Sequence, residues 1–203
     1  MGIAAIVMAG GRAERLGVGE KPLLKVGGKT MIESVIEALR HSKRVRKIAV
    51  AVSEATPLTE EVVRKMSLEV IRTPGEGYHS DMRYAIQKLG FVLPVLVVSA
   101  DLPLLTADIV DEVVKYYERC TKPALTVVVP FRLYERIGLK PQYFFEIGSE
   151  RFVPVGINII DGRKVDDPWI EQEVLICKEV RRLVNVNRSA DLKIAERLAR
   201  DPS

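Results

Sequence analysis

The sequence predicts a doubly wound α/β fold: a mostly parallel sheet with helices on both faces and a small antiparallel addition in the C-terminal part. Three observations predict it. Short apolar runs alternate with longer stretches of helical period, the pattern of strands joined by crossover helices. The early runs are apolar throughout, as strands buried on both faces require. After residue 130 the pattern changes to two strand-like runs separated by a short turn, which reads as an antiparallel hairpin.

Taken in order, residues 3–8 (IAAIVM), 47–52 (KIAVAV), 68–71 (LEVI), 94–100 (PVLVVSA) and 124–130 (ALTVVVP) read as strands. Between the first two, Ile32, Val35, Ile36 and Leu39 recur at i, i+3, i+4 and i+7, which puts them on one helix face. Thr30 and Glu33 form a capping-box pattern at its start. Thr56 followed by Pro57 opens a second helix, and Thr106 precedes another that carries Ile109, Val110, Val113, Val114 and Tyr117. QYFFEI and RFVPVGINII, flanking Gly148 to Glu150, are the expected hairpin, with its strands lying beside the parallel core. DLKIAERLAR is a final helix with Ser189 as its expected N-cap. No repeat or long linker interrupts the chain, so residues 1–203 are expected to form one domain.

Hydrophobic residues make up 47% and charged residues 29% of the chain, a globular rather than disordered composition. The net charge of +4 is modest. It favours anionic small molecules over nucleic acid, whose binders cluster their cations on one face. The basic run RHSKRVRK reads as a solvated helix end and turn. Cys120 and Cys177 stand far apart without a CxxC, so neither zinc nor a disulfide framework is indicated. No secretory pattern opens the chain and no stretch approaches a membrane span, so a cytoplasmic location is expected. A homodimer is compatible with this composition, although no residue specifies it.

The stretch MAGGRAERLGVGEKP, which follows the first strand, buries little and collects glycines and cations. Between a strand and a helix, backbone amides can converge on an anion, and glycines let phosphate oxygens approach them. Arg12, Arg15 and Lys21 add positive charge suited to a triphosphate. Two other phosphate motifs are excluded. GGKT lacks the glycine that a P-loop needs at position 23, which is Leu23, and GEGYHS has Ser80 where a dinucleotide fingerprint needs its third glycine. VVSADLPLL ends a strand at Asp101, with Pro103 preventing regular continuation. A carboxylate at this sheet edge, paired with a triphosphate loop, is a natural Mg²⁺ ligand.

Ala9-Gly10-Gly11, Arg15-Leu16-Gly17 and Lys21-Pro22 together resemble the pattern of nucleotidyltransferases of the molybdenum-cofactor guanylyltransferase type. A closer resemblance is to the archaeal GTP:adenosylcobinamide-phosphate guanylyltransferases. It is carried by GEGYHSD, VVSADL, VPVGINII and NVNRSADLKIAE, and so reaches from the first strand to the last helix, with no match in residues 131–151. That gap is where an acceptor pocket would be shaped. The resemblance implies that Ala9, Gly10, Gly11, Arg12, Arg15 and Lys21 hold the triphosphate, with Arg15, Lys21 and Asp101 catalytic and Asp101 binding Mg²⁺. It places Asn187 near the metal and phosphates, Gly77 and Asp81 at the nucleoside, and Gly156 and Asn158 in the active cleft. From the residues alone, Gly156 is equally a strand bulge, Asn187 a helix cap and Asp81 a first-turn acid facing a helix dipole.

The implied reaction transfers GMP from GTP to the phosphate of adenosylcobinamide phosphate and releases pyrophosphate. Its alternatives are other nucleotidyltransferases on the same scaffold, acting on molybdopterin, phospholactate or a sugar phosphate, and a nucleotide-binding regulator without turnover. The expected partners are thus GTP and a phosphorylated small molecule, with neither nucleic acid nor a membrane involved.

Overall fold

The computed structural model describes residues 2–11, 19–141 and 143–201. Its strands are β1 (Ile3–Met8), β2 (Lys25–Val26), β3 (Lys29–Thr30), β4 (Val45–Val52), β5 (Glu69–Arg72), β6 (Pro94–Ser99), β7 (Ala124–Pro130), β8 (Phe145–Ile147), β9 (Glu150–Asp161) and β10 (Gln172–Ile176). Its helices are α1 (Met31–His41), α2 (Pro57–Lys65), α3 (Tyr78–Lys88), α4 (Ala107–Tyr117), α5 (Phe131–Arg136) and α6 (Ser189–Arg200).

The main sheet runs β10-β7-β9-β6-β1-β4-β5, with β8 attached to β9. β1 pairs parallel with β4 and β6, β4 with β5, and β10 with β7. This is the predicted mostly parallel α/β plan. The apolar runs are strands because both sides of each are covered. Ala5, Val7, Val50, Val52, Leu96 and Val98 belong to the core packed by α1 and α4, while Ile6, Ala49, Ala51, Val95 and Val97 face Met82, Ala85 and Ile86 of α3. Alternate side chains thus serve opposite layers, as the pleat dictates.

β9 departs from expectation. It does not lie beside the parallel core but is inserted antiparallel between β6 and β7, pairing with both along most of its length. Its apolar residues are buried along the strand, and a central position supplies two hydrogen-bonding neighbours where an edge supplies one. The hairpin itself forms as predicted, with β8 paired antiparallel to β9. Ser189 is likewise not the N-cap of α6. Arg188 takes that position, and the Asp191 carboxylate accepts from the amides of Asn187 (3.0 Å) and Arg188 (2.9 Å). The capping box of α1 is present, with Glu33 accepting from the Thr30 amide at 2.8 Å and the Thr30 hydroxyl accepting from the Glu33 amide at 3.3 Å.

Candidate active site

The carboxyl ends of β1 and β6 adjoin because the two strands are hydrogen-bonded, and both lead into irregular backbone. After β1, the Ala9 amide donates to Ala51 O (2.7 Å), and the Ser53 hydroxyl donates to Gly10 O (2.6 Å). A Cβ on Gly10 would lie 3.1 Å from the Ser53 backbone nitrogen, so glycine permits this close passage, whereas Gly11 faces open space. Residues 12–18, with Arg12 and Arg15, lie outside the described residues. Further along, the Glu20 carboxylate accepts from the amides of Leu58 (2.7 Å) and Thr59 (2.6 Å) at the start of α2. An acid there satisfies free donors and faces the positive end of the helix dipole. Glu20 therefore anchors the far end of the loop, immediately before the single 3-10 turn of Lys21–Leu23.

Lys21 reaches across to Asp101, two residues past the end of β6. Its Nζ lies 2.5 Å from Asp101 Oδ2 and donates to Asn187 Oδ1 at 2.8 Å. The side chains of Lys21 and Asp101 are only 19% and 13% exposed. Asn185 Nδ2 donates to Asp101 Oδ1 (2.9 Å) and to Val155 O (3.2 Å). Tyr134, from α5, donates to Leu183 O at 2.6 Å and lies 3.2 Å from Asn185 Oδ1, holding that amide in place. Burial pushes the Asp101 carboxyl up, but the Lys21 ammonium and hydrogen bonds from Lys21, Ser99 and Asn185 outweigh it and leave the carboxyl below its ordinary value. Asp101 is held as a carboxylate by three partners: Ser99 beside it in the chain, and Lys21 and Asn185 from distant segments.

Two cavities meet at this carboxylate. A small one of about 60 Å³ is lined by Ala9, Gly11, Lys21, Ser99 and Asp101. A larger one of about 580 Å³ shares Ser99 and Asp101 and extends over β7 and β9. Gly156 and Asn158 line the larger cavity, as does Asn187. Gly156 is also a bulge residue: the β7–β9 register shifts around it, its φ is +73°, and a Cβ would come 2.8 Å from Ser99 Cβ. Its two readings are therefore compatible. Asn158 Nδ2 donates to the Tyr78 hydroxyl (3.1 Å), and burial raises that phenol well above its ordinary range. Gly77 precedes α3 with φ +114° and open space beside it. Asp81 points inward: it is buried, and its Oδ1 accepts from the amides of Gly75 (2.9 Å) and Glu76 (3.3 Å), fixing the loop before α3.

The sequence matches the family model of the MobA-like NTP transferase domain over residues 5–157, from β1 into β9. The chain belongs to the MobA-like NTP transferase family. This transferase is 34% identical to the adenosylcobinamide-phosphate guanylyltransferase of Methanocaldococcus jannaschii, covering 96% of each chain. It is 30% identical to a probable molybdenum cofactor guanylyltransferase of Pyrococcus horikoshii, covering 96% of this chain and 99% of the relative. In shape it is similar to CMP:2-keto-3-deoxy-manno-octonic acid synthetase solved with CTP, at a TM-score of 0.72 and 15% identity over 100% of this chain and 99% of that one. The MobA-like transferase described here is accordingly a nucleotidyltransferase.

Reading by residue type missed Asn185 and Tyr134. Asn185 had a usable signal. In NVN, Val186 is fully buried, and alternation in extended chain puts Asn185 and Asn187 on the opposite face together. Tyr134 lies where no motif was recognisable, and only the tertiary structure brings it to Asn185.

Among the described residues no three His, Cys, Asp or Glu side chains cluster to hold a metal. Asp101 Oδ2 and Asn187 Oδ1 do flank one position, filled by the Lys21 ammonium. One carboxylate and one amide oxygen around a cationic position suit Mg²⁺, a hard ion that takes oxygen ligands and leaves the rest of its shell to phosphates and water.

Proposed function

We propose that this MobA-like transferase moves GMP from GTP to the phosphate of adenosylcobinamide phosphate, releasing pyrophosphate. The observation that carries the nucleotidyl-transfer chemistry is the convergence of Lys21, Asp101 and Asn187, from three distant segments, beside a glycine loop. Similarity to the Methanocaldococcus jannaschii guanylyltransferase along nearly the whole of both chains supports the choice of base and acceptor.

An oxygen of the acceptor phosphate bonds to the α-phosphorus of GTP as the bond from that phosphorus to the bridging oxygen of the leaving pyrophosphate breaks. The acceptor dianion and the triphosphate tetraanion become a dianionic diphosphate diester and a pyrophosphate tetraanion, so no net proton moves. A general base is unnecessary, which agrees with a site holding amides and a paired carboxylate. The difficulty is mutual repulsion of anions, answered by fixed positive charge and alignment.

In this reading Gly10 and Gly11 bring backbone amides to the triphosphate, and Arg12 and Arg15 contribute guanidinium groups to the same loop. Lys21 turns from Asp101 toward the phosphate oxygens once they are bound. Asp101 and Asn187 would hold Mg²⁺, whose charge would neutralise the phosphates between them. Asn185, fixed by Tyr134 and Val155 O, keeps Asp101 oriented. Gly77 opens the loop to the nucleoside, and Asp81 shapes that loop from inside. Asn158 orients Tyr78 across the cleft floor.

A molybdenum-cofactor acceptor is the second reading, favoured by the Pyrococcus horikoshii relative, which also matches almost end to end. The two are separated by incubating the protein with Mg²⁺, labelled GTP, ATP or CTP, and cobinamide phosphate or molybdopterin, and following pyrophosphate release. Release that requires GTP and cobinamide phosphate is expected. Equal rates with all three nucleotides, or release only with molybdopterin, would overturn the first reading.

A further inference from the structure

The larger cavity lies across Asp101 from the glycine loop. Ser99 and Asp101 form the wall common to the two cavities, and Lys21 approaches that wall from the loop side. A triphosphate seated on the loop side of that wall would have the larger cavity across Ser99 and Asp101 from it. In-line displacement requires the attacking oxygen to arrive opposite the leaving group.

The lining of that cavity carries charge that the fold does not use. Lys140, on the loop after α5, and Arg188, immediately before α6, both line it and are both exposed. Neither side chain makes an ion pair or hydrogen bond among the described residues. Elsewhere the surface cations are commonly paired, as in Arg44 with Glu118, Lys47 with Glu69 and Arg163 with Asp161. Two unpaired cations facing one cavity beside a buried carboxylate suit an anionic ligand with several oxygens.

The rim adds an apolar surface. Tyr143 lines the cavity yet is 68% exposed. The next residue holds it there: Phe144 packs edge-on against Phe131 with ring centroids 5.1 Å apart, and the Arg151 guanidinium lies 4.3 Å from Phe131 and 5.2 Å from Phe144. An aromatic ring exposed at a cavity mouth, on a segment fixed by a three-residue stack, is a ready stacking surface.

We propose that this cavity is the acceptor subsite, in which Lys140 and Arg188 hold a phosphate monoester carried on an arm while the bulky body of the acceptor rests outside against Tyr143. The proposal rests on the nucleotidyl-transfer reading and adds to it the residues that select the acceptor. It gives a role to Tyr134, Leu139, Lys140 and Tyr143, which line the cleft from a stretch that carries no recognisable motif: they serve the substrate that differs between members of the family.

Two measurements test it with Lys140→Met, Arg188→Met and Tyr143→Ala, all exposed positions. In steady-state pyrophosphate release with cobinamide phosphate, each cation variant is expected to raise the acceptor KM about tenfold or more, the loss of a charge-assisted contact, and Tyr143→Ala severalfold, while the GTP KM stays within about twofold. In equilibrium dialysis of propyl phosphate, a minimal arm without a body, the two cation variants are expected to lose binding and Tyr143→Ala to keep it. An acceptor KM unchanged in both cation variants, or a GTP KM that rises equally, overturns the subsite. If the wild-type protein binds propyl phosphate through Lys140 and Arg188 yet shows no acceptor-dependent release, the subsite stands and the transfer reading fails. If propyl phosphate binding is the same in wild type and cation variants, the subsite is refuted whatever the turnover.

Discussion

Replacing Lys21 by Met tests the arrangement on which the chemistry depends. The ammonium is 2.5 Å from Asp101 Oδ2, and both side chains are largely covered. At an effective dielectric of about 20, two unit charges 4 Å apart attract by roughly 4 kcal/mol, part of which is spent on desolvating them. Breaking a fully buried pair by removing one partner costs about 3–5 kcal/mol. With Asp101 still reached by solvent and hydrogen-bonded by Asn185, about 2 kcal/mol is the expected loss for Lys21→Met. For a chain of this size that is a fall in Tm of about 4–8 °C.

The loss should also depend on pH. In the wild-type protein the Asp101 carboxyl is below its ordinary value, so its stabilising effect is complete above the unfolded pKa of about 4 and fades as pH falls through the lower folded value. Without Lys21, burial acts against only neutral donors and the carboxyl rises. The deficit of Lys21→Met should therefore narrow as pH falls into the acid range where the raised carboxyl takes up a proton. Adding Asp101→Asn should recover much of the stability but none of the turnover, because the uncompensated charge is gone while the catalytic cation is still missing. Urea unfolding followed by circular dichroism, alongside pyrophosphate release, measures both. A Lys21→Met protein as stable as wild type at pH 7.5 and active within about tenfold would refute the convergence of these side chains.

Other outcomes follow from the same geometry. Asp101→Ala should lower Mg²⁺-dependent turnover by roughly 10²-fold or more, comparable to losing an oxyanion donor, and near-normal turnover would remove Asp101 from the metal. Gly156→Ala meets both a positive φ and Ser99 Cβ at 2.8 Å. It should cost about 1–3 kcal/mol, read as a lowered urea midpoint with an unchanged slope, and displace the Ser99 contact to Asp101. Glu20→Ala removes the cap that ties the glycine loop to α2. About 1 kcal/mol of stability should be lost, with a several-fold rise in the GTP KM measured by initial rates.

Much of this was legible in the chain because it is local. Uniformly apolar runs marked β1, β4, β6 and β7, since a strand covered on both faces needs no polar alternation. Thr30 with Glu33 marked the start of α1, since a capping box closes within four residues. α3 was harder to see: its buried side is only Met82, Ala85 and Ile86 besides Asp81, too little apolar surface to stand out from loop. β10 was missed for a similar reason, its side chains being half-buried or exposed at the sheet edge. The glycine loop and Asp101 stood out as chemistry, because glycines, cations and a strand-ending acid serve no local folding purpose in that combination.

What the linear chain determined by itself was which segments could be strands or helices, and which residues were spared from building the core. It could not determine that β9 runs antiparallel between β6 and β7, because sheet order depends on pairing energies between segments many residues apart. Nor could it place Asn185 and Tyr134 behind Asp101, or show that Asp81 fixes the loop before its own helix. Those roles are contacts across the fold, decided only when burial forces every polar group to find a partner.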